Sequence, residues 1–300
     1  MTHTRAVFLM IFVTLLWSMA GVVTRHLDAA RSFEVTFWRS TFNALGLALA
    51  LTVLRGPALW SNLLRAPRVV WVSGVCWSIM FTAFMVAITL TTVANVLVTM
   101  AIAPLVTALF ARVFLHHKLP FRTWLAIAVA GLGIVWMFGQ EAQAGVSLLG
   151  TLVALAVPIA AAVNFTTLQH VGHGNADPDD DAPTQDMLPA VLIGAVISAI
   201  VTLPLAWPLQ ASAHDLGLLA FLGVLQLAVP CLLVVRLSQE LAAPEIALLG
   251  LLEVIFGVTW AWLGAGEHPS ASTLTGGALV LGALVANELL ALRSRRLSTP

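Results

Sequence analysis

Ten apolar stretches, most of them close to the length of a bilayer crossing, constrain this chain more than any other feature. They run near 6–24, 33–54, 69–90, 93–115, 122–139, 147–168, 187–207, 216–238, 242–264 and 273–292. A helix needs about 20 residues to cross the hydrocarbon. None of the stretches alternates strictly as a barrel strand would, and a segment in lipid must satisfy its backbone internally. Each therefore reads as a transmembrane helix. Composition agrees: 60% of residues are apolar and 9% are charged, against about 25% charged in a soluble domain. So few charges cannot give a soluble core its polar shell. The expected fold class is all-α integral membrane, with ten transmembrane helices. The third and fourth have almost no loop between them, only "AITLTTVANVLV".

Several function classes drop out at this level. Net charge is zero, so no basic field suggests nucleic acid. No Gly-Lys-Ser/Thr phosphate loop is present, which argues against an ATPase within the chain. Cys76 and Cys231 fall inside spans and read as packing residues. Every histidine lies outside the spans or at their edges, so no cofactor and no metal centre is expected within the membrane. The same lack of a histidine partner leaves Ser18, Ser40, Ser78 and Glu253 without a nucleophile–base pair, against an embedded enzyme. "SMAG" at 18–21 has the look of a cleavage site, but the long apolar stretch before it and Arg25 after it favour an uncleaved first span.

With both termini in the cytoplasm, Arg5, Arg55, Arg65, Arg68, Arg112, Lys118, Arg122, Arg236, Arg293, Arg295 and Arg296 lie inside or at the inner edge. Arg25 and Arg31 lie outside, and Arg39 is within a span. That bias supports the cytoplasmic placement. The chain also looks doubled. "APLVTALFARVFLHHKLP" (103–120) can be laid over "EVIFGVTWAWLGAGEHPS" (253–270), each followed by a turn and a Gly/Ala-rich final span. The expected organisation is a first five-helix repeat at 6–139, an outer connection at 140–146, and a second repeat at 147–292. The second contains an acidic cytoplasmic loop at 169–186, read as a solvated linker. An odd number of helices per repeat inverts the second relative to the first, an arrangement that lets a transporter's central site face either side in turn.

The ordered pieces "LLWSMAGVVTRHL" (15–27), "FWRSTFNALGLALAL" (37–51), "APLVTALFARVFL" (103–115) and "LLEVIFGVTWAWLGAGE" (251–267) resemble the drug/metabolite transporter superfamily, in its ten-span branch of two EamA-type repeats. Val254 stands where that family often has proline, and His116-His117 replaces its usual Gly-Glu in the first half. The resemblance implies a secondary exporter of small metabolites in a prokaryotic inner membrane. Its substrates would be amino acids, the aromatic ones foremost, with cationic drugs as the alternative.

Charged and polar groups within spans are the candidate site, because each costs several kcal/mol in lipid unless partnered. Glu253 is expected near mid-membrane. It is either a cavity residue that binds an amine or carries a proton, or a structural carboxyl between helices. Arg39 either meets a substrate carboxylate, snorkels outward, pairs with Glu34, or pairs directly with Glu253. Asn43, Asn95, Asn164, Thr167 and Gln226 form an uncharged set. Asn164 and Thr167 share a helical face beyond Pro158, and Trp17 and Ser18 hold the similar place in the first half. Trp17, Trp77 and Trp260 lie deep and either stack on a ligand or fill helix interfaces. Trp38, Trp60, Trp71, Trp124 and Trp207 read as interfacial anchors. The expected partners are a small-molecule substrate and the bilayer.

Overall fold

In a computed structural model the described residues are 3–57, 59–60, 63, 65–114, 119–143, 148–174, 188–237, 241, 246 and 249–298. They are overwhelmingly helical, and no strand occurs among them. In chain order the helices are α1 (His3–Thr24), α2 (Ser32–Arg55), α3 (Arg68–Leu90), α4 (Val93–Ala101), α5 (Ala103–Phe114), α6 (Phe121–Gln143), α7 (Leu149–Ala154) and α8 (Ala156–Gly174). There follow α9 (Leu188–Ala206), α10 (Ala213–Gly223), a π-helical segment (Val224–Ala228), α11 (Val229–Leu237), α12 (Leu252–Ala265) and α13 (Ala271–Ser298). Seven helical stretches are long and apolar enough to cross a membrane, and three shorter apolar ones lie at Phe121–Met137, Leu149–Asn164 and Leu252–Ala265.

Local chemistry sets several helix ends. Thr92 caps α4 by accepting from the Asn95 amide, and Ser212 and Asp215 form a reciprocal capping box at α10. Gly266 ends α12 in the left-handed conformation, φ 65°, where a side chain would be strained. Four of the expected spans are not uniform helices. The fourth is broken at Ile102, ahead of Pro104; the sixth is interrupted at Leu155, ahead of Pro158. The eighth widens into the π turn ahead of Pro230, and the ninth is interrupted at Leu251.

Lipid-facing and buried surfaces are reversed relative to a soluble protein. Phe8, Leu49, Val53, Leu54, Leu132, Leu205 and Leu263 are exposed, whereas Arg39, Asn43, Asn95, Asn164 and Gln226 are at most 3% exposed. Hydrocarbon outside gives no hydrophobic drive for helices to associate, so close packing must do it. Small residues sit at the crossings accordingly. A Cβ on Gly133 of α6 would lie 2.8 Å from the Gly276 carbonyl oxygen of α13, and one on Gly276 would lie 2.7 Å from that of Gly133. A Cβ on Gly194 of α9 would lie 2.9 Å from the Gly74 carbonyl oxygen of α3, and one on Gly223 of α10 would lie 2.7 Å from that of Arg39 on α2.

The helix pairing has a repeated pattern. α1 packs on α12 and α11, while α8 packs on α5 and α3; α2 packs on α10, while α9 packs on α3. α2 with α9, α4 with α12, and α6 with α13 complete the main contacts.

Candidate functional site

The site is built from α1, α2, the π turn and α12. Gly223 lets the end of α10 settle against the Arg39–Asn43 turn of α2. The chain then widens into the π turn, a feature frequent at functional sites, and Gln226 within it reaches Arg39. An Arg39 terminal N–H donates to Gln226 Oε1 at 2.9 Å, and Gln226 Nε2 donates to the Trp17 carbonyl at 2.9 Å. Guanidinium can only donate and a carbonyl only accept, so the orientation of the amide is dictated by its neighbours. Arg39 also lies over the ring of Phe84 on α3, 5.6 Å from its centroid.

Arg39 is 2% exposed. It neither snorkels nor pairs with Glu34, two of the roles open to it from sequence. Glu34 instead accepts from the amides of Gln210 and Ala211, both at 2.8 Å. Both loop amides converge on Oε1 and hold the carboxylate at the helix end, five residues from the arginine. No carboxylate among the described residues forms an ion pair with Arg39, and its Nε has no hydrogen-bond partner. One helical turn on, Asn43 is fully buried and both its amide atoms lack a partner among the described residues.

Glu253 lies in the first turn of α12 and is half-buried. Four residues later, Gly257 packs against Leu97 and the Ser18 carbonyl, which sets α12 against α1 beside Trp17. Glu253 has no ion pair or hydrogen bond among the described residues.

The remaining candidates are dispersed. Trp17 enters the polar chain through its carbonyl, and its ring packs with the α1–α11 cluster. Ser18 bonds back to Leu15 O at 2.7 Å. Asn95 accepts from Thr273 on α13 at 2.6 Å, tying α4 to α13. Trp77 meets Phe81 in a tilted ring pair, centroids 5.4 Å apart, and packs against Gly194 at the α3–α9 crossing. Trp260 is 37% exposed. Asn164 is buried with its Oδ1 unpartnered; the side chain of Thr167, like most of the 169–186 segment, lies outside the described residues. Two groups were not singled out from sequence. Phe84 resembles any other span phenylalanine. Ser198 binds Ser40 and Thr82, each at 2.9 Å, and joins α2, α3 and α9; a lone serine in a span was its faint signal.

One set of helix ends is tied by polar contacts. Arg25 meets Glu267 at 3.0 Å and donates to the carbonyls of Ile88 and Thr91, while Glu267 accepts from the Val93 amide at 2.6 Å. Asp215 accepts from the amides of Asp28, Ala29, Ala30 and Ser212. A cluster of Asp28, His214 and Asp215 has the spacing of metal ligands. However, these four amides occupy the Asp215 oxygens, which leaves little for an ion.

Comparison with known proteins agrees with this architecture. The chain is 24% identical over 288 residues to the pseudopaline exporter CntI of Pseudomonas aeruginosa, in strains UCBPP-PA14 and PAO1 alike, covering 93% of this chain and 94% of the relative. A solved crystal structure with 19% identity superposes with a TM-score of 0.64 over 99% of this chain and 100% of the other, which shows the same fold. The model of the EamA-like transporter family matches twice, at residues 4–139 and 148–287, so this membrane protein belongs to the EamA-like transporter family.

Proposed function

We propose that the protein is a secondary exporter of small amphipathic metabolites, most of all amino acids. It works by alternating access through a central cavity between two inverted five-helix repeats, 6–139 and 147–292, with both termini cytoplasmic in a prokaryotic inner membrane. The observation that carries this reading is the buried chain Arg39–Gln226–Trp17, with Glu253, unpaired among the described residues, on α12 packed against α1, in a member of a transporter family. A cation and a carboxylate held apart inside a membrane mark a pathway for polar solutes more naturally than a structural core. The two family matches and the exchanged helix pairings support the doubled architecture. So do the interruptions at Ile102 and Leu251, which fall at corresponding places in the two halves.

Trp17, Ser18, Asn43, Asn164, Gln226, Glu253 and Trp260 are the residues assigned to the cavity. Asn95 and Trp77 serve the helix contacts described above. A second reading, export of cationic compounds, draws on Glu253 alone as a lone carboxylate. The CntI relative is named an exporter of pseudopaline, which supports export of a small metabolite here without naming it.

The test is transport by purified protein in liposomes against a panel of labelled amino acids, with and without a pH gradient, beside Glu253→Gln. Flux above empty vesicles supports the reading. Loss in the variant of only the response to the gradient identifies Glu253 as the proton carrier. Absence of flux across the panel overturns the amino-acid assignment.

A further inference from the structure

A cavity of about 240 Å³ lies away from Arg39, between α5, α6 and α13. One wall is apolar, with Leu105, Ala108 and Leu119; the other is polar, with Arg122, Thr123 and Glu288. Its origin is local. The fourth span breaks at Ile102, ahead of Pro104, and beyond the break α5 packs on α8 while α6 pairs with α13. Consecutive in sequence, α5 and α6 touch little, and a wedge is left between them. Thr123 Oγ1 donates to Asn287 Oδ1 at 3.0 Å and closes the α6–α13 side, where an Arg122 N–H lies 3.4 Å from the Leu290 carbonyl. Phe114, Phe121 and Trp124 beside the wedge are exposed, and in a bilayer such side chains meet lipid.

Size and lining narrow the occupant. Pockets that enclose a small molecule run to roughly 300–1,000 Å³. This one is smaller and two-faced, which suits one part of an amphiphile whose chains continue into the bilayer. Charge gives the class. Orientation bias alone would spread cations over every connection of one membrane face. Here residues 103–126 and 283–300 hold six of the chain's fourteen Lys and Arg against a single acid, Glu288. Arg122 lines the cavity; Arg112, in the last turn of α5, and Arg293, near the end of α13, are exposed. Basic pockets between membrane helices take anionic head groups, and guanidinium matches phosphate oxygens. The acidic segment 169–186 has the charge to compete, but it contains no apolar run to fill the wedge.

We infer that this wedge is a binding site for an anionic phospholipid. The phosphate sits at Arg122, flanked by Arg112 and Arg293, and an acyl chain lies against Leu105 and Ala108. Glu288 opposes the head group, so the surplus of arginines, not Arg122 alone, sets the sign of the site. The lipid fills the gap between α5 and the α6–α13 pair and becomes part of the packing there.

The experiment titrates delipidated protein in detergent with dioleoyl-phosphatidylglycerol, with dioleoyl-phosphatidylcholine, and with glycerol phosphate as a head group without chains. Native mass spectrometry counts bound molecules, and thermal unfolding reports stabilisation. One phosphatidylglycerol is expected to bind about tenfold more tightly than phosphatidylcholine, with no tight binding of glycerol phosphate. The triple variant Arg112→Gln, Arg122→Gln, Arg293→Gln should lose that preference. Arg55→Gln, Arg65→Gln, Arg68→Gln removes the same charge at another connection and should keep it. Ala108→Phe leaves every charge in place, fills the wedge, and should lose the lipid. Equal wild-type affinity for the two lipids overturns the site and needs no variant to be folded. Equal loss in both triple variants assigns the preference to a diffuse surface field and overturns it as well. Tight binding of glycerol phosphate would make this a free-phosphate site instead. Tight lipid binding seen only after Asp177→Asn, Asp179→Asn, Asp180→Asn and Asp181→Asn together would identify the acidic segment as the occupant, and the lipid site would fall.

Discussion

Gln226 joins Arg39 to Trp17 with one side chain, its oxygen accepting from the guanidinium and its nitrogen donating to the carbonyl, each at 2.9 Å. The link spans three elements, and it does so where the eighth span leaves α-helical geometry. Replacing Gln226 by Leu keeps much of the volume but strips the arginine of its hydrogen-bonded side-chain partner among the described residues. A loss of about 2–4 kcal/mol is expected, the usual cost of leaving a buried charged donor unsatisfied. Thermal unfolding in detergent measures it. Gln226→Glu, which supplies a counter-charge, should unfold at a higher temperature than Gln226→Leu.

Gly223 is required by a close approach, not by its backbone angles. A Cβ there would stand 2.5 Å from Phe42 Cβ and 2.8 Å from the Asn43 amide nitrogen. Gly223→Ala is expected to cost about 1–3 kcal/mol by overpacking and to move the π turn away from Arg39. Gly217, with nothing within 4 Å of a Cβ, is the control. A similar fall in melting temperature for Gly217→Ala and Gly223→Ala would refute the packing account.

Asp215 organises the loop between α1 and α2 from 185 residues away or more, through the amides of Asp28, Ala29 and Ala30. Asp215→Asn replaces one accepting oxygen by a donor that faces those amides. Destabilisation of about 1–3 kcal/mol is expected from the unsatisfied groups. Hydrogen exchange reads it locally: the amides of residues 28–30 should exchange faster, while those of α6 and α13 should not change.

The Arg25–Glu267 pair is 29% and 15% exposed at its side chains. Solvent screening limits its direct coupling to about 1 kcal/mol in a double-mutant cycle. Glu267→Gln alone should cost more than that coupling, because the Val93 amide loses a charged acceptor as well. A cycle on stability with Arg25→Gln and Glu267→Gln separates the two contributions. A single-mutant cost equal to the coupling would mean that the Val93 contact contributes nothing.

Much of the membrane layout was legible before any coordinates, but less of the site was. The apolar runs foretold where helices lie, and Pro158 foretold the interruption of the sixth span; Pro104 marks that of the fourth in the same way but was not singled out. The π turn at 224–228 lies just ahead of Pro230, which has no N–H for an α-helical bond to the Gln226 carbonyl, so it too carried a marker, one not singled out from sequence. Glu253 and Arg39 were visible as charges out of place. That Glu34 turns to the amides of residues 210 and 211, leaving Arg39 to Gln226, was not.

By itself, the sequence determined which segments belong to the membrane, and so the all-helical class, because transfer into hydrocarbon depends on length and composition alone. Only the tertiary structure decided which polar groups meet. Arg39 and Gln226 lie 187 positions apart. Once both are in the membrane, the hydrophobic term is nearly indifferent to how each helix is rotated or set along its neighbour. Rotation and height come from close packing at Gly223, Gly257 and Gly276 and from hydrogen bonds between helices, and those contacts exist only in three dimensions.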